Sequence, residues 1–236
     1  MCGRFFRHSP REELAAAFQA DPTGLELGPS YNVAPGQSVL IVRHAPSLGR
    51  RVLDTAAWGL VPHFAKDTSG AYRCINARAE TVDTKPSYRS AFSKRRCLLI
   101  ADGFFEWRAE GRRKLPYAIA LKTRKPFAIA GLWETWRDPT TDQKLQTCAL
   151  VTTDANELVA SIHNRMPVIL DPDQCSTWLG EGPTTAPGAL KSILRPFPPD
   201  EMLMWPVSPQ LNTPRFDEPE LLEPFLEQPK QLDLFS

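Results

Sequence analysis

The sequence predicts an α+β fold: a single domain whose mixed, largely antiparallel, barrel-like β core is flanked by short helices. Extended apolar segments outnumber helical ones, the helices between them are short, and no regular strand–helix–strand repeat is present. The 236 residues suffice for one sizeable core rather than two.

The first element is a helix in "SPREELAAAF". Ser9 is placed to cap it, Pro10 suits the first helical position and Glu12 completes a capping box. "YNVAPGQSVLIVR" is a Pro/Gly turn running into a strand at 38–43, and "VLDTAAWGL" is a second strand, ended by Gly59 and Pro62. "RCINARAETV" is compact and polar, a turn leading into a short helix. "RRCLLIADGFFEWR" is a strand, a break at Gly103 and a second extended piece. "LPYAIAL", "FAIAGLWETW" and "LQTCALVTT" are three further strands. "DANELVASIH" is a helix capped by Asp154 with Glu157 three residues on, "PVIL" is short and extended, and short helices follow near 172–179 and 187–194. The domain is expected over residues 2–212. Residues 213–236 are acidic and Pro-rich, a composition expected to leave a flexible tail.

The overall charge of +1 hides a segregation: residues 73–114 hold eleven Lys/Arg against five acids, a surface that would attract a polyanion. No apolar run approaches a membrane span and no signal segment opens the chain, so a cytoplasmic protein without membrane association is expected. Cys2, Cys74, Cys97, Cys148 and Cys175 are odd in number and lack CxxC spacing, so they are expected to be free thiols. Neither they nor the four histidines cluster as metal ligands, and no metal or cofactor is expected.

The opening "MCGRF" carries a chemical possibility. Were Met1 removed, Cys2 would present an α-amine and a thiol on adjacent carbons. An α-amine has a pKa of about 7.7–8.0, so a useful fraction is neutral near pH 7. It forms an imine with an aldehyde, and the neighbouring thiol closes that imine to a thiazolidine. Glu106 lies between Phe105 and Trp107, neighbours that would raise its pKa and suit proton transfer; the alternative is an edge-strand Glu paired with Arg108. His163 ends the helix that starts at Asp154, and Asn76 is either an orienting amide or a turn former.

Six ordered motifs carry a resemblance: "MCGRF", "YNVAPGQ" at 31–37, "WGLVP" at 58–62, "INARAET" at 75–81, "CLLIADGFFEWR" at 97–108 and "IHNRMPVIL" at 162–170. Together they resemble the SRAP (SOS response-associated peptidase) family of abasic-site processing proteins over residues 2–212. The resemblance implies peptidase-class removal of Met1 and a covalent link from Cys2 to the ring-opened aldehyde of an abasic site in single-stranded DNA. It assigns the chemistry to Cys2, Asn76, Glu106 and His163; association with the nucleoid and replication fork is expected from the clamp-binding pentapeptide at the end of the chain. Arg4, Arg78, Arg89 and Arg165 are the expected phosphate contacts, with Gly3 leaving room for the strand. Trp107 and Phe64 are candidate base stackers, and Pro35 and Met166 candidate wedges. The family commonly has Trp where this chain has Phe64. Two other classes stay open: an N-terminal-nucleophile cysteine peptidase that turns over protein substrates, and a non-covalent reader of modified DNA.

The chain closes on "QLDLF", residues 231–235, which resembles the bacterial sliding-clamp-binding pentapeptide. Gln231, Leu232, Leu234 and Phe235 would supply a polar hook and apolar anchors for a hydrophobic cleft on the clamp.

Overall fold

A computed structural model of the chain describes residues 2–22, 27–111, 113–181 and 187–226. Strand β1 (Arg4–Arg7) is followed by helix α1 (Arg11–Phe18), β2 (Ala20–Asp21), β3 (Ser30–Val33), β4 (Ser38–Ala45), β5 (Arg50–Trp58) and β6 (Asn76–Arg78). Helix α2 (Pro86–Lys94) leads into β7 (Arg96–Ala101), β8 (Gly103–Glu110), β9 (Arg113–Leu121), β10 (Phe127–Arg137) and β11 (Lys144–Asp154). Then come α3 (Glu157–Ala160), β12 (Arg165–Pro167), β13 (Ile169–Leu170), α4 (Pro172–Leu179), α5 (Pro187–Ser192) and β14 (Met202–Pro206).

Five of these strands close a barrel. β11 pairs with β10, β10 with β7, β7 with β4 and β4 with β5, all antiparallel. β5 then returns to β11 through a parallel joint, Ala57 beside Thr147 and Trp58 beside Cys148. A second sheet, in the order β14–β9–β8–β1–β3, packs against the barrel. This is the α+β, barrel-like architecture the sequence predicts.

The apolar runs of β4 and β7 reflect burial on both faces. Val39, Ile41, Cys97 and Leu99 cluster with Phe5, Phe104 and Ile119 of the second sheet. Leu40, Val42, Leu98 and Ile100 cluster instead with Leu14 of α1, Phe92 of α2 and Trp178 of α4. Gly103 lies where the chain passes from barrel to second sheet. The break expected there falls between β7 and β8, and Gly103 is also a close approach: a Cβ there would lie 2.1 Å from Cζ of Phe6 and 2.7 Å from the Ile119 carbonyl oxygen.

The outer face of the second sheet is covered by the C-terminal segment. Phe6, Phe105 and Ala118 cluster with Val207, Leu211 and Leu221. The Trp205 indole donates to the Leu222 carbonyl at 2.8 Å, and the Phe225 amide to the Pro206 carbonyl at 2.9 Å. The expected flexible tail is therefore corrected for residues 213–226, which form a strap. Their composition is tail-like, but Phe216 and Leu221 meet an apolar sheet face. Leu221 is fully buried, and Leu221→Ala is expected to destabilise the protein by about 2–5 kcal/mol. Thermal unfolding checks this; an unchanged Tm would mean that the strap adds nothing to the fold.

Several local expectations also change. Ser9 does not cap α1. Its hydroxyl donates to Asp102, which also accepts from the His8 and Ser9 amides at 2.6 and 2.9 Å. α3 is capped by Asn156, whose side chain accepts from the Val159 amide, while Asp154 ends β11. "INAR" contributes a short parallel strand beside β11 rather than a turn. The short helix expected after "RCINARAETV" is α2, whereas β1, β2, β3 and β14 were not anticipated.

Candidate active site

Cys2 lies directly ahead of β1 and is fully buried. Its carbonyl accepts a 2.8 Å hydrogen bond from Nδ2 of Asn76, and its thiol lies 3.6 Å from the Arg4 carbonyl. Asn76 opens β6, held in register against Leu150 of β11. From α2, the Tyr88 hydroxyl donates to the Asn76 carbonyl at 3.0 Å. Asn76 Oδ1 is buried and accepts no hydrogen bond from any described residue. Burial, reinforced by the nearby Glu106 charge, raises the Cys2 thiol above its ordinary range.

Glu106 sits in β8 opposite Tyr117, in the interior of the second sheet and only 2 % exposed. The edge-strand alternative therefore fails, and Arg108 pairs with Glu110 instead. Burial raises the Glu106 carboxyl to about 7. His163 follows α3, and its Nδ1 lies 4.0 Å from Glu106 Oε1. That nitrogen faces both groups of Arg165: it accepts from the amide at 3.0 Å when the neutral ring carries its proton on Nε2, and donates to the carbonyl at 3.2 Å when it is itself protonated. Burial lowers the His163 pKa, which favours the neutral imidazole.

Glu106 and His163 open onto a cavity of about 360 Å³ that is also lined by Arg4, Trp107, Lys114 and Asn212. Trp107 is half-buried, and its indole donates to Oδ1 of Asn212 at 2.8 Å. Arg78 and Arg89 are exposed, at the end of β6 and on α2. Phe64 is 59 % exposed and edge-on to His63, and Pro35 is exposed in the β3–β4 turn.

Two expectations are corrected. Met166 is fully buried, its sulfur accepting from the Asn156 amide, so it does not present a wedge. Arg165 is 9 % exposed, and its guanidinium is taken up by Glu80, Asp154 and the Thr152 carbonyl. Its charge is compensated within the protein, where a phosphate contact was expected. Lys114 and Asn212 had no assigned role from sequence. Lys114 registered only as part of the basic segment, and Asn212 sat on the expected domain boundary. Residues 231–235 lie outside the described residues. Among the described residues, no helix is long and apolar enough to cross a membrane.

YoqW of Bacillus subtilis, named an abasic site processing protein, is 43% identical over 227 residues, covering 94% of this chain and 99% of the relative. HMCES of Gallus gallus, which carries the same description, is 33% identical over 234 residues, covering 86% and 69%. A crystal structure from Bacteroides thetaiotaomicron superposes with a TM-score of 0.87 at 28% identity, covering 95% of this chain and all of the other. A model of the SOS response associated peptidase (SRAP) family matches residues 1–214. The chain belongs to the SRAP family.

Proposed function

We propose that this protein processes abasic sites in single-stranded DNA, shedding Met1 and joining Cys2 covalently to the opened sugar. The observation that supports it most is the seating of Cys2. A terminal residue would ordinarily fray, yet this one is buried and bound by Asn76 beside Glu106, His163 and an arginine-lined cavity.

The chemistry balances without a cofactor. Hydrolysis of the Met1–Cys2 bond consumes one water and frees the amine. Glu106, protonated in part at neutral pH, supplies a proton to the sugar ring oxygen while the anomeric hydroxyl gives its own to water, and the hemiacetal opens to its aldehyde. The amine adds to that aldehyde, water leaves, and the thiol adds across the imine to close a thiazolidine. Neutral His163 accepts and returns protons during imine formation. The vacant Oδ1 of Asn76 suits one N–H of the freed amine. Exposed Arg78 and Arg89 serve the phosphates, and Phe64 with Trp107 the flanking bases.

Intact-mass spectrometry tests the proposal. The purified protein should lack Met1 and, mixed with an abasic single-stranded oligonucleotide and then denatured, should gain one oligonucleotide mass per chain. Catalytic turnover on peptides without an adduct would favour the peptidase alternative. The Gln231–Phe235 pentapeptide tethers the protein to the replication fork by binding the bacterial sliding clamp. Titrating the full chain against the clamp should give saturable binding that Leu234→Ala/Phe235→Ala removes; binding unchanged by that variant would rule the tether out.

A further inference from the structure

Among the described residues, Arg4 is held at the cavity by neutral groups alone. Its Nη1 donates to Oδ1 of Asn32 at 2.6 Å and to the Leu211 carbonyl at 3.0 Å. Asn32 is fully buried in β3. Its Nδ2 donates in turn to the carbonyls of Phe216 at 2.7 Å, Thr213 at 3.2 Å and Leu211 at 3.3 Å. One carboxamide thus joins β3, the strap and the arginine. Both its Oδ1 and its Nδ2 are engaged, which fixes its orientation.

Neutral acceptors fix a guanidinium without cancelling its charge. Arg165 shows the contrast, since two carboxylates face it. Among the described residues Arg4 meets no carboxylate, and its Nε and Nη2 donate to none of them. Arg4 lines the cavity beside Glu106 and His163, so a full positive charge with two spare donor groups is held where a polyanion would arrive. The strap is half of this mounting, and the Phe216 carbonyl lies beyond the 1–214 span of the family match.

We propose that Asn32 is a positioning residue for Arg4, locking its guanidinium between β3 and the strap so that it meets a DNA phosphate next to the lesion; this rests on the function proposed above. A double-mutant cycle on the full chain tests it. The probe is a single-stranded oligonucleotide carrying a tetrahydrofuran abasic analogue, which has no aldehyde and reports non-covalent binding only. Arg4→Ala should weaken binding about tenfold and reduce the salt slope by about 0.7, the share of one single-strand phosphate. Asn32→Ala should reproduce both effects, and the double variant should bind within about twofold of Arg4→Ala. A merely structural Asn32 would lower Tm and leave the salt slope alone. Additive losses, or a wild-type slope in Asn32→Ala, overturn the proposal. Should Asn32→Ala not fold, Asn32→Ser takes its place in the same cycle. Adduct formation with an authentic abasic oligonucleotide is measured in parallel. A wild-type protein that forms no adduct counts against the proposed function; a normal adduct with an additive cycle counts against Asn32 alone.

Discussion

Cys2→Ala is expected to abolish the denaturation-resistant adduct with abasic single-stranded DNA. The substitution leaves an α-amine wherever Met1 is removed, so an imine still forms. It deletes the thiol that closes the ring, and an open imine hydrolyses when the protein is unfolded. Cys2→Ser makes the distinction sharper: its adduct should survive only after borohydride reduction. The fold should tolerate both changes. Cys2 is fully buried, but replacing it by Ala removes a single sulfur atom, well below the large-to-small changes that empty a core. An undiminished adduct in Cys2→Ala, seen by intact mass after boiling in detergent, would defeat the thiazolidine mechanism.

Glu106→Gln should slow adduct formation by about 10²–10⁴-fold, the usual range for a positioned acid–base group. It should also change how stability depends on pH. In the folded chain burial raises Glu106 from 4.5 to about 7. Between those values the unfolded chain has lost the proton and the native state still holds it. Stability therefore declines as pH rises through that window and levels off above it, a difference of about 3 kcal/mol for a shift of this size. Gln keeps the shape and cannot ionise, so this component of the decline should vanish. Thermal unfolding of both proteins at pH 4.5 and pH 8 should show the variant gaining most at pH 8. Parallel pH profiles for the two proteins would show that Glu106 is not held protonated by its surroundings. The native carboxyl is thus a cost to the fold that the proposed reaction would explain.

Much of the fold was legible because β-strand runs in "RRCLLIADGFFEWR" and "FAIAGLWETW" are long and apolar, and helices of α4 type carry clear start signals. β3 and β14 were not, since neither carries a strong run of β-branched residues. The strap escaped because composition weighs Pro and Glu over the whole segment, whereas Phe216 and Leu221 alone decide whether it packs. At the site, Cys2, Asn76, Glu106 and His163 come from four distant stretches, and motif resemblance gathered them before geometry did. Arg165 and Met166 stand two and three positions after His163, yet both turn inward, because β12 pairs with β11 and presents them to Asp154, Thr152 and the core. Proximity in sequence to a reactive group says little about which way a strand residue points.

The parallel joint between β5 and β11 sets a schedule on the ribosome. Ala57 waits for Thr147 to be made before the barrel can close, and His163 emerges later still. The last residue of the cavity lining, Asn212, follows, so at a synthesis rate of about 5–20 residues per second the front of the nascent chain stays outside any finished pocket for about ten to forty seconds. Enzymes that trim new polypeptides have that interval in which to reach the front of the chain, before Cys2 takes up its buried seat.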